Sequence, residues 1–360
     1  MLIAASLLTT LLAVATVLPY VPAAHGLVRI GDFPRQQILA LAAALLVATV
    51  FVGDGGAAWR AVQAVLVAMC VAQTVHILPF TPLWRKRSAR YVPGRDEGEP
   101  FRLMACNVKM SNRRYGLLAG LVEQHEPDIL ILMEVDRPWV EGLAETLARY
   151  PQIVSQPQDN SYGLLVASRF PLEDTQVRHV LTEGVPSILA TVVLPEGRRF
   201  RLYAIHPEPP VPHATTAGRD GETALVALET RRETLPVLVA GDLNDVAWSR
   251  TTERFRRLSR LLDPRIGRKV FSTFDARYPL VRWPLDHLFH SAHFRLAGMH
   301  RLPACGSDHF PVLFELALCE DGRALSRPEA ADRSDLAEAR DRIARARARD
   351  EEPIGTDWED

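Results

Sequence analysis

Three nearly uncharged apolar runs crowd the first quarter of this 360-residue chain, at residues 2–23, 37–53 and 61–83. Each is long enough, or nearly so, to cross hydrocarbon at about 1.5 Å per residue. No basic residue precedes the first run and two more runs follow after short connectors, which is unlike a cleaved secretory leader. The expectation is a membrane anchor over residues 1–84 with three crossings. The middle run, short and rich in alanine, is the weakest of the three and could instead be a packed or tilted helix. Arg85, Lys86, Arg87 and Arg90 follow the third run, and Arg29 and Arg35 lie between the first two. With three crossings both sets fall on one side, which the positive-inside tendency makes cytoplasmic. The expected location is therefore the cell membrane, multi-pass, with the remainder of the chain in the cytoplasm.

Residues 85–100 mix Pro, Gly and charge and read as a basic, polar linker. A folded domain is expected over 101–319. Short apolar runs alternate there with turns, at 101–106, 129–133, 162–167, 188–193, 200–205, 237–240, 287–289 and 312–316. Helical patterns intervene at 114–124, 138–148 and 222–233. Many strands with few helices predict two packed sheets with helices outside them, a layered α/β arrangement. Past Cys319 the chain is Arg, Asp, Glu and Ala with few large apolar residues, so 320–360 is expected to be a charged, disordered tail or an exposed, fraying helix.

A formal net charge of -1 excludes a chain that binds nucleic acid by overall charge alone. A local basic stretch does occur, comprising Arg250, Arg254, Arg256, Arg257, Arg260, Arg265, Arg268 and Lys269. It reads as a solvated helix surface or as a face for a polyanionic substrate or anionic lipid headgroups. Cys70, Cys106, Cys305 and Cys319 form no CxxC pair or disulfide-scaffold spacing and fit reduced thiols.

The polar residues at strand ends carry the chemistry. Asn107 and Glu134 close the first two strands, so a carboxamide and a carboxylate can emerge at one sheet edge. Such oxygen donors suit a hard ion, magnesium or manganese. Asp242 and Asn244, two apart in an extended segment, face the same way. Asp242 can then take a proton from an attacking water while Asn244 holds a phosphate oxygen; the competing reading is an Asx turn. His206 is placed like a donor to a phosphoryl or leaving-group oxygen. Asp286 can orient the imidazole of His309, whose positive charge would face the growing negative charge on phosphorus-bound oxygens. Asp308 is a candidate for the metal or its water. Ser307 lacks a GxSxG-like elbow, and no HExxH zinc signature is present.

Together, Cys106-Asn107-Val108, Leu132-Met133-Glu134, Tyr162-Gly163-Leu164 through Ser168-Arg169, Ala204-Ile205-His206, Gly241-Asp242-Leu243-Asn244, Leu285-Asp286-His287 and Ser307-Asp308-His309 resemble the endonuclease/exonuclease/phosphatase superfamily over about residues 101–318. Bacterial members with an amino-terminal membrane region look closest. The resemblance implies a four-layered α/β sandwich with two central, mostly antiparallel sheets, preceded here by transmembrane helices. It makes Glu134 the principal Mg2+ ligand with Asn107 assisting, and Asp242 the group that orients or deprotonates water. Asn244 and His206 would contact phosphate, Asp286 would pair with His309, and Asp308 would support the metal or nucleophile site. Two departures, Pro207-Glu208-Pro209-Pro210 after His206 and His287 after Asp286, weaken an assignment to DNA repair.

The expected function is a membrane-anchored phosphoesterase using Mg2+ or Mn2+, acting on phosphodiesters or phosphomonoesters by metal-assisted water attack. The alternatives are an endonuclease or exonuclease on DNA or RNA, and a noncatalytic membrane scaffold. The expected partners are a phosphate-ester substrate and the bilayer, with anionic lipid or nucleic acid as further candidates.

Overall fold

The three apolar runs form helices in the computed structural model, which describes residues 1–356. They are α1 (Leu2–Val17), α3 (Arg35–Val52) and α4 (Ala57–Ile77), with the short α2 (Gly26–Ile30) in the first connector. Including their terminal 3-10 turns, the segments Leu2–Tyr20, Arg35–Val52 and Ala57–Phe80 are each long and apolar enough to cross a membrane. Leu12, Ile38, Ala42, Val62, Leu66 and Met69 pack between them. Their outer faces expose Leu7, Leu11, Val47, Phe51 and Val71, so the helices are apolar all round, as a lipid-facing bundle requires. At one end a buried polar chain ties them together. The Arg35 guanidinium donates to Asp32 and to Gln73 Oε1, and Gln73 Nε2 donates to Thr16 Oγ1.

Eleven strands follow among the described residues. One sheet contains β1 (Phe101–Asn107), β2 (Ile129–Met133), β3 (Gln152–Gln156), β4 (Leu164–Ser168), β10 (Phe294–Arg301) and β11 (Val312–Leu318), in the order β10-β11-β1-β2-β4-β3. The other contains β5 (Leu172–His179), β6 (Pro186–Val193), β7 (Arg199–Ile205), β8 (Val237–Asp242) and β9 (Asp286–His290), in sequence order. Pairing is antiparallel except between β1 and β2 and between β7 and β8.

The period of two along each strand assigns its faces. Leu103, Ala105, Ile129, Ile131 and Met133 point at Leu202, Ala204, Leu238 and Ala240 of the opposite sheet and form the central core. The alternate residues Met104, Cys106, Leu130 and Leu132 turn outward onto α5 (Tyr115–His125), α6 (Arg137–Gly142) and α7 (Ala144–Leu147). On the far side Tyr203, Ile205, Val239 and Phe289 meet α8 (Ala217–Thr230) and α9 (Arg250–Ser259). The result is the expected four-layered sandwich.

Two local expectations are corrected. Residues 333–347 are not a disordered tail or a fraying helix; they form α10 (Arg333–Arg347), started by a capping box at Asp332 and Asp335. Ala339, Ile343 and Ala346 make a narrow buried stripe against α8, because alanine lets two helices approach closely where large side chains are lacking. Much of the basic stretch is buried or paired rather than a solvated surface or a free polyanion face. Arg254 pairs with Glu338 and Arg257 with Asp335 of α10 at 2.6 Å, while Arg265 is buried against Asp263 at 2.8 Å. Within the linker, Ala89 and Tyr91 exchange backbone hydrogen bonds with Leu296 along the β10 edge.

The connector between α1 and α3 lies on the sandwich. His25 bridges Thr215, Gly26 N–H donates to the Ala214 carbonyl at 2.8 Å, and Trp248 Nε1 donates to the Asp32 carbonyl at 2.8 Å. Arg29 pairs with buried Asp220 at 3.3 Å. A Cβ at Gly26 would lie 1.6 Å from the Val211 carbonyl oxygen, so this close approach needs glycine.

Candidate active site and metal centre

Sheet register gathers the polar residues at one edge. Asn107 ends β1 opposite Met133, so Glu134 emerges one residue beyond it; Asp242 ends β8 opposite Asp286, which begins β9. His206 follows β7, the parallel neighbour of β8. The two sheets are stitched here by Asp242 N–H donating to Met133 Sδ at 3.2 Å. Gly241, with φ of 147°, has no room for a side chain against the neighbouring β7, since a Cβ there would sit 1.9 Å from the Ile205 carbonyl oxygen. Lys109, Glu134 and Asn244 all take positive φ, a sparsely populated backbone state that is characteristic of functional sites.

Asn107 Nδ2 donates to Glu134 Oε1 at 2.6 Å and to Asp242 Oδ2 at 3.1 Å. Met110 N–H donates to Glu134 Oε2 at 3.2 Å and Asn244 N–H to Asp242 Oδ1 at 2.9 Å. His309 Nδ1 donates to Asp286 Oδ2 at 2.9 Å, and its Nε2 lies 3.4 Å from Asp242 Oδ2. Asn244 Nδ2 donates to the Pro207 carbonyl at 2.9 Å and lies 3.3 Å from His206 Nε2. Asn107, Glu134, His206, Asp242, Asn244, Asp308 and His309 thus line one cavity of about 510 Å3, with Asp286 just beneath it. Asp242 and Asn244 do not share an extended segment as expected, because β8 ends at Asp242 and Asn244 takes φ of 51°; an Asx turn at Asp242 nonetheless brings both to one site.

Electrostatics separate the two histidines. Burial opposes charge on His309, but the Asp286 and Asp242 carboxylates outweigh it and push its pKa up to about 10. Burial, reinforced by the charge on His309, pushes His206 down to about 3, leaving it neutral. Asp242 is raised to about 6 by burial, with His309 pulling the other way.

Asp308 sits at the cavity rim, 3.1 Å from Lys109 Nζ and 3.6 Å from an Arg277 nitrogen. Ser307 has a structural part. Its Oγ donates to the Asn107 carbonyl at 2.8 Å and accepts from His309 N–H at 3.0 Å, which holds the His309 loop on β1. Sequence reasoning missed Lys109, Arg277, Phe274 and the connector residues Ile30, Phe33 and Pro34, all of which line the cavity. Lys109 could have been found from its place two residues after Asn107; the others come from segments whose spatial proximity has no local signal.

Two donor sets could hold a cation. Asp242, Asp286 and His309 bring ligand atoms within 4.8 Å of one another. However, Nδ1 of His309 is committed to Asp286, and a charged imidazolium repels a cation. Asn107 Nδ2 bridges the Glu134 and Asp242 carboxylates while its Oδ1 accepts from Lys109 N–H, and these carboxylate and carboxamide oxygens are a donor set that suits a hard divalent ion.

Comparison with known proteins agrees with the layered architecture. The model of the Endonuclease/Exonuclease/phosphatase family matches residues 104–309. The human Nocturnin catalytic domain with bound sulfate anion superposes with a TM-score of 0.51 at 19% identity, covering 62% of this chain and 96% of its own. A Beutenbergia cavernae endonuclease/exonuclease/phosphatase gives 0.49 at 20% identity, covering 61% and 72%. D. rerio TDP2 complexed with a single-strand DNA product gives 0.49 at 17% identity, covering 61% and 99%. No curated protein sequence matches the chain.

Proposed function

This chain belongs to the endonuclease/exonuclease/phosphatase family, and from that premise we propose a membrane-anchored, divalent-metal-dependent phosphoesterase that cleaves its substrate by direct attack of water. The observation that carries the reading is the convergence of Asn107, Glu134, Asp242 and His309 in one cavity, each within hydrogen-bond or ion-pair reach of the next.

Glu134 and Asn107 are the proposed metal-holding pair, with Asp308 in support at the rim. Bound there, Mg2+ or Mn2+ would polarise a phosphoryl oxygen and offset its growing charge. Asp242 holds the attacking water through a carboxylate oxygen and takes its proton. His309, kept charged by Asp286, presents Nε2–H to a phosphoryl oxygen as that oxygen becomes more negative. Asn244 and the neutral His206, which stand beside Asp242, donate to the phosphate. Water attacks phosphorus, the ester oxygen leaves, and no covalent enzyme intermediate forms.

The domain plan supports anchoring. Residues 1–84 form the anchor, 85–100 a strap, 101–319 the catalytic sandwich and 320–360 a carboxy-terminal extension. The connector carrying Arg29 and Arg35 rests on the sandwich, so it and the basic cluster at residues 85–90 share one side, which the positive-inside tendency makes cytoplasmic. A nuclease reading gains little support from the Arg250–Lys269 stretch, where Arg254 and Arg257 pair with α10 and Arg265 with Asp263.

The test is Mg2+- and Mn2+-dependent hydrolysis by the full-length protein in detergent, across DNA, RNA, phospholipids and small phosphate esters. Metal-dependent cleavage that disappears in Asp242→Asn and His309→Ala supports the assignment. Folded protein that cleaves nothing, or cleavage indifferent to both substitutions, overturns it.

A further inference from the structure

The cavity that holds the polar cluster has a second, apolar half, and part of that half comes from the anchor. Ile30, Phe33 and Pro34 of the first connector line the same cavity as Asp242 and His309. Pro34 immediately precedes Arg35, the first residue of a helix long and apolar enough to cross a membrane. Phe33 packs edge-on against Trp283 with ring centroids 5.7 Å apart, and Trp283 stacks on Phe274 at 6.1 Å. Phe274 in turn lies 4.8 Å from the His309 ring. A continuous apolar surface therefore runs from the start of α3 to the imidazole.

The junction is built in rather than incidental. Phe80, at the end of the third apolar segment, is buried with Val246, Trp248 and Leu285 of the sandwich, and Phe33, Phe274 and Trp283 pack on that cluster. Gln37, in the first turn of α3, donates to the Leu280 carbonyl at 3.0 Å. Leu280 itself is 83% exposed on a loop that also exposes Tyr278 and Val281. If α3 crosses a bilayer, an apolar loop tip held beside its first turn would lie at the bilayer surface, where exposed apolar groups are covered by lipid.

We infer that the substrate is a membrane-resident amphiphile, a phosphate ester carrying a long apolar chain, whose phosphate enters the polar half while its chain lies on Ile30, Phe33 and Trp283. This rests on the proposed phosphoesterase activity and deepens it by naming the substrate class. A cavity of about 510 Å3 falls in the size range of small-molecule sites. Its division into a charged end and an aromatic end matches a molecule with the same division. The anchor then does more than tether, because its connector supplies a wall that discriminates among substrates.

The experiment uses full-length protein in phosphatidylcholine vesicles with Mg2+ and two matched substrate pairs. Methyl against hexadecyl 4-nitrophenyl phosphate tests diesters; glycerol 3-phosphate against dipalmitoyl phosphatidic acid tests monoesters. In whichever pair is cleaved, the long-chain member is expected to have at least a hundredfold higher kcat/KM. Phe33→Ser is expected to remove most of that preference and Phe33→Leu to keep it. The milder Ile30→Thr should reduce it severalfold, which guards against Phe33→Ser misfolding. Equal rates within a cleaved pair would overturn the inference while leaving the phosphoesterase standing. A preference that survives Phe33→Ser and Ile30→Thr would overturn it too, since vesicle partitioning alone then accounts for the selectivity, as would faster cleavage of single-stranded DNA than of either long-chain ester. Cleavage of none of these removes the phosphoesterase reading itself.

Discussion

The two halves of the catalytic cavity are built on different principles. The polar half is made from the ends of β1, β2 and β8, where register within each sheet and the packing of the two sheets fix which side chains meet. The apolar half is made from a connector near residue 30 and a loop near residue 280, brought together because the amino-terminal helices and their connector dock on the sandwich. The first arrangement is intrinsic to the fold and would be present in any chain with these strands. The second depends on Gly26, Arg29 and Trp248, contacts that belong to this chain. If the proposed division of labour is right, chemistry belongs to the first half and substrate choice to the second, and substitutions should separate them.

The largest effect is expected in the polar half. Asp242→Asn or His309→Ala should lower kcat on every cleaved substrate by about 10²–10⁴-fold, the usual contribution of a positioned proton acceptor or charged donor. Thermal unfolding of the variants should show that the fold persists. Glu134→Gln comes next and should act through the ion. Its Mg2+ titration of activity should move to concentrations about 10–100-fold higher, because a neutral amide replaces the anionic donor. An unchanged titration would remove Glu134 from the metal site.

Gly26→Val tests the apolar half without touching the cavity lining. The added side chain collides with the Val211 carbonyl and should lift the connector from the sandwich. Hydrolysis of methyl 4-nitrophenyl phosphate should stay within about threefold, while the advantage of its hexadecyl counterpart falls about tenfold, on the scale of two buried methylenes lost. Parallel loss of both activities would show that the two halves cannot be separated.

The halves also differ in how far the sequence disclosed them. Asn107, Glu134, Asp242 and Asp286 were legible because each ends or begins a short apolar strand, and a period of two restricts where such side chains can point. β5 escaped notice because Leu-Glu-Asp-Thr-Gln-Val-Arg-His is mostly polar, as an edge strand exposed to solvent can be. α10 was misread because alanine looks too small to build a core, yet Ala339 and Ala346 serve where the helix lies close to α8. The wall of Phe33 and Trp283 had no local signal at all: two aromatics 250 positions apart become neighbours only through docking. Local patterns restrict secondary structure and strand faces; contacts between distant segments follow from the packing of whole elements.

The smallest effect concerns stability beneath the polar half. Glu222 of α8 is buried, its Oε1 has no hydrogen-bond partner, and burial together with nearby Glu208 pushes its pKa up to about 8. The folded state therefore keeps a proton on Glu222 that the unfolded chain releases near its ordinary value of about 4.5. Between those two values the folded state binds more protons, so this group makes stability fall as pH rises, and the loss levels off above pH 8. Glu222→Gln removes the titration while keeping shape and polarity. Its melting temperature in detergent should equal that of the parent near pH 4.5 and exceed it progressively towards pH 8. The kcat on methyl 4-nitrophenyl phosphate should be unaffected at any pH where both proteins remain folded. A stabilisation independent of pH would mean that Glu222 already titrates normally and that the site beneath the cavity is wetter than its burial indicates.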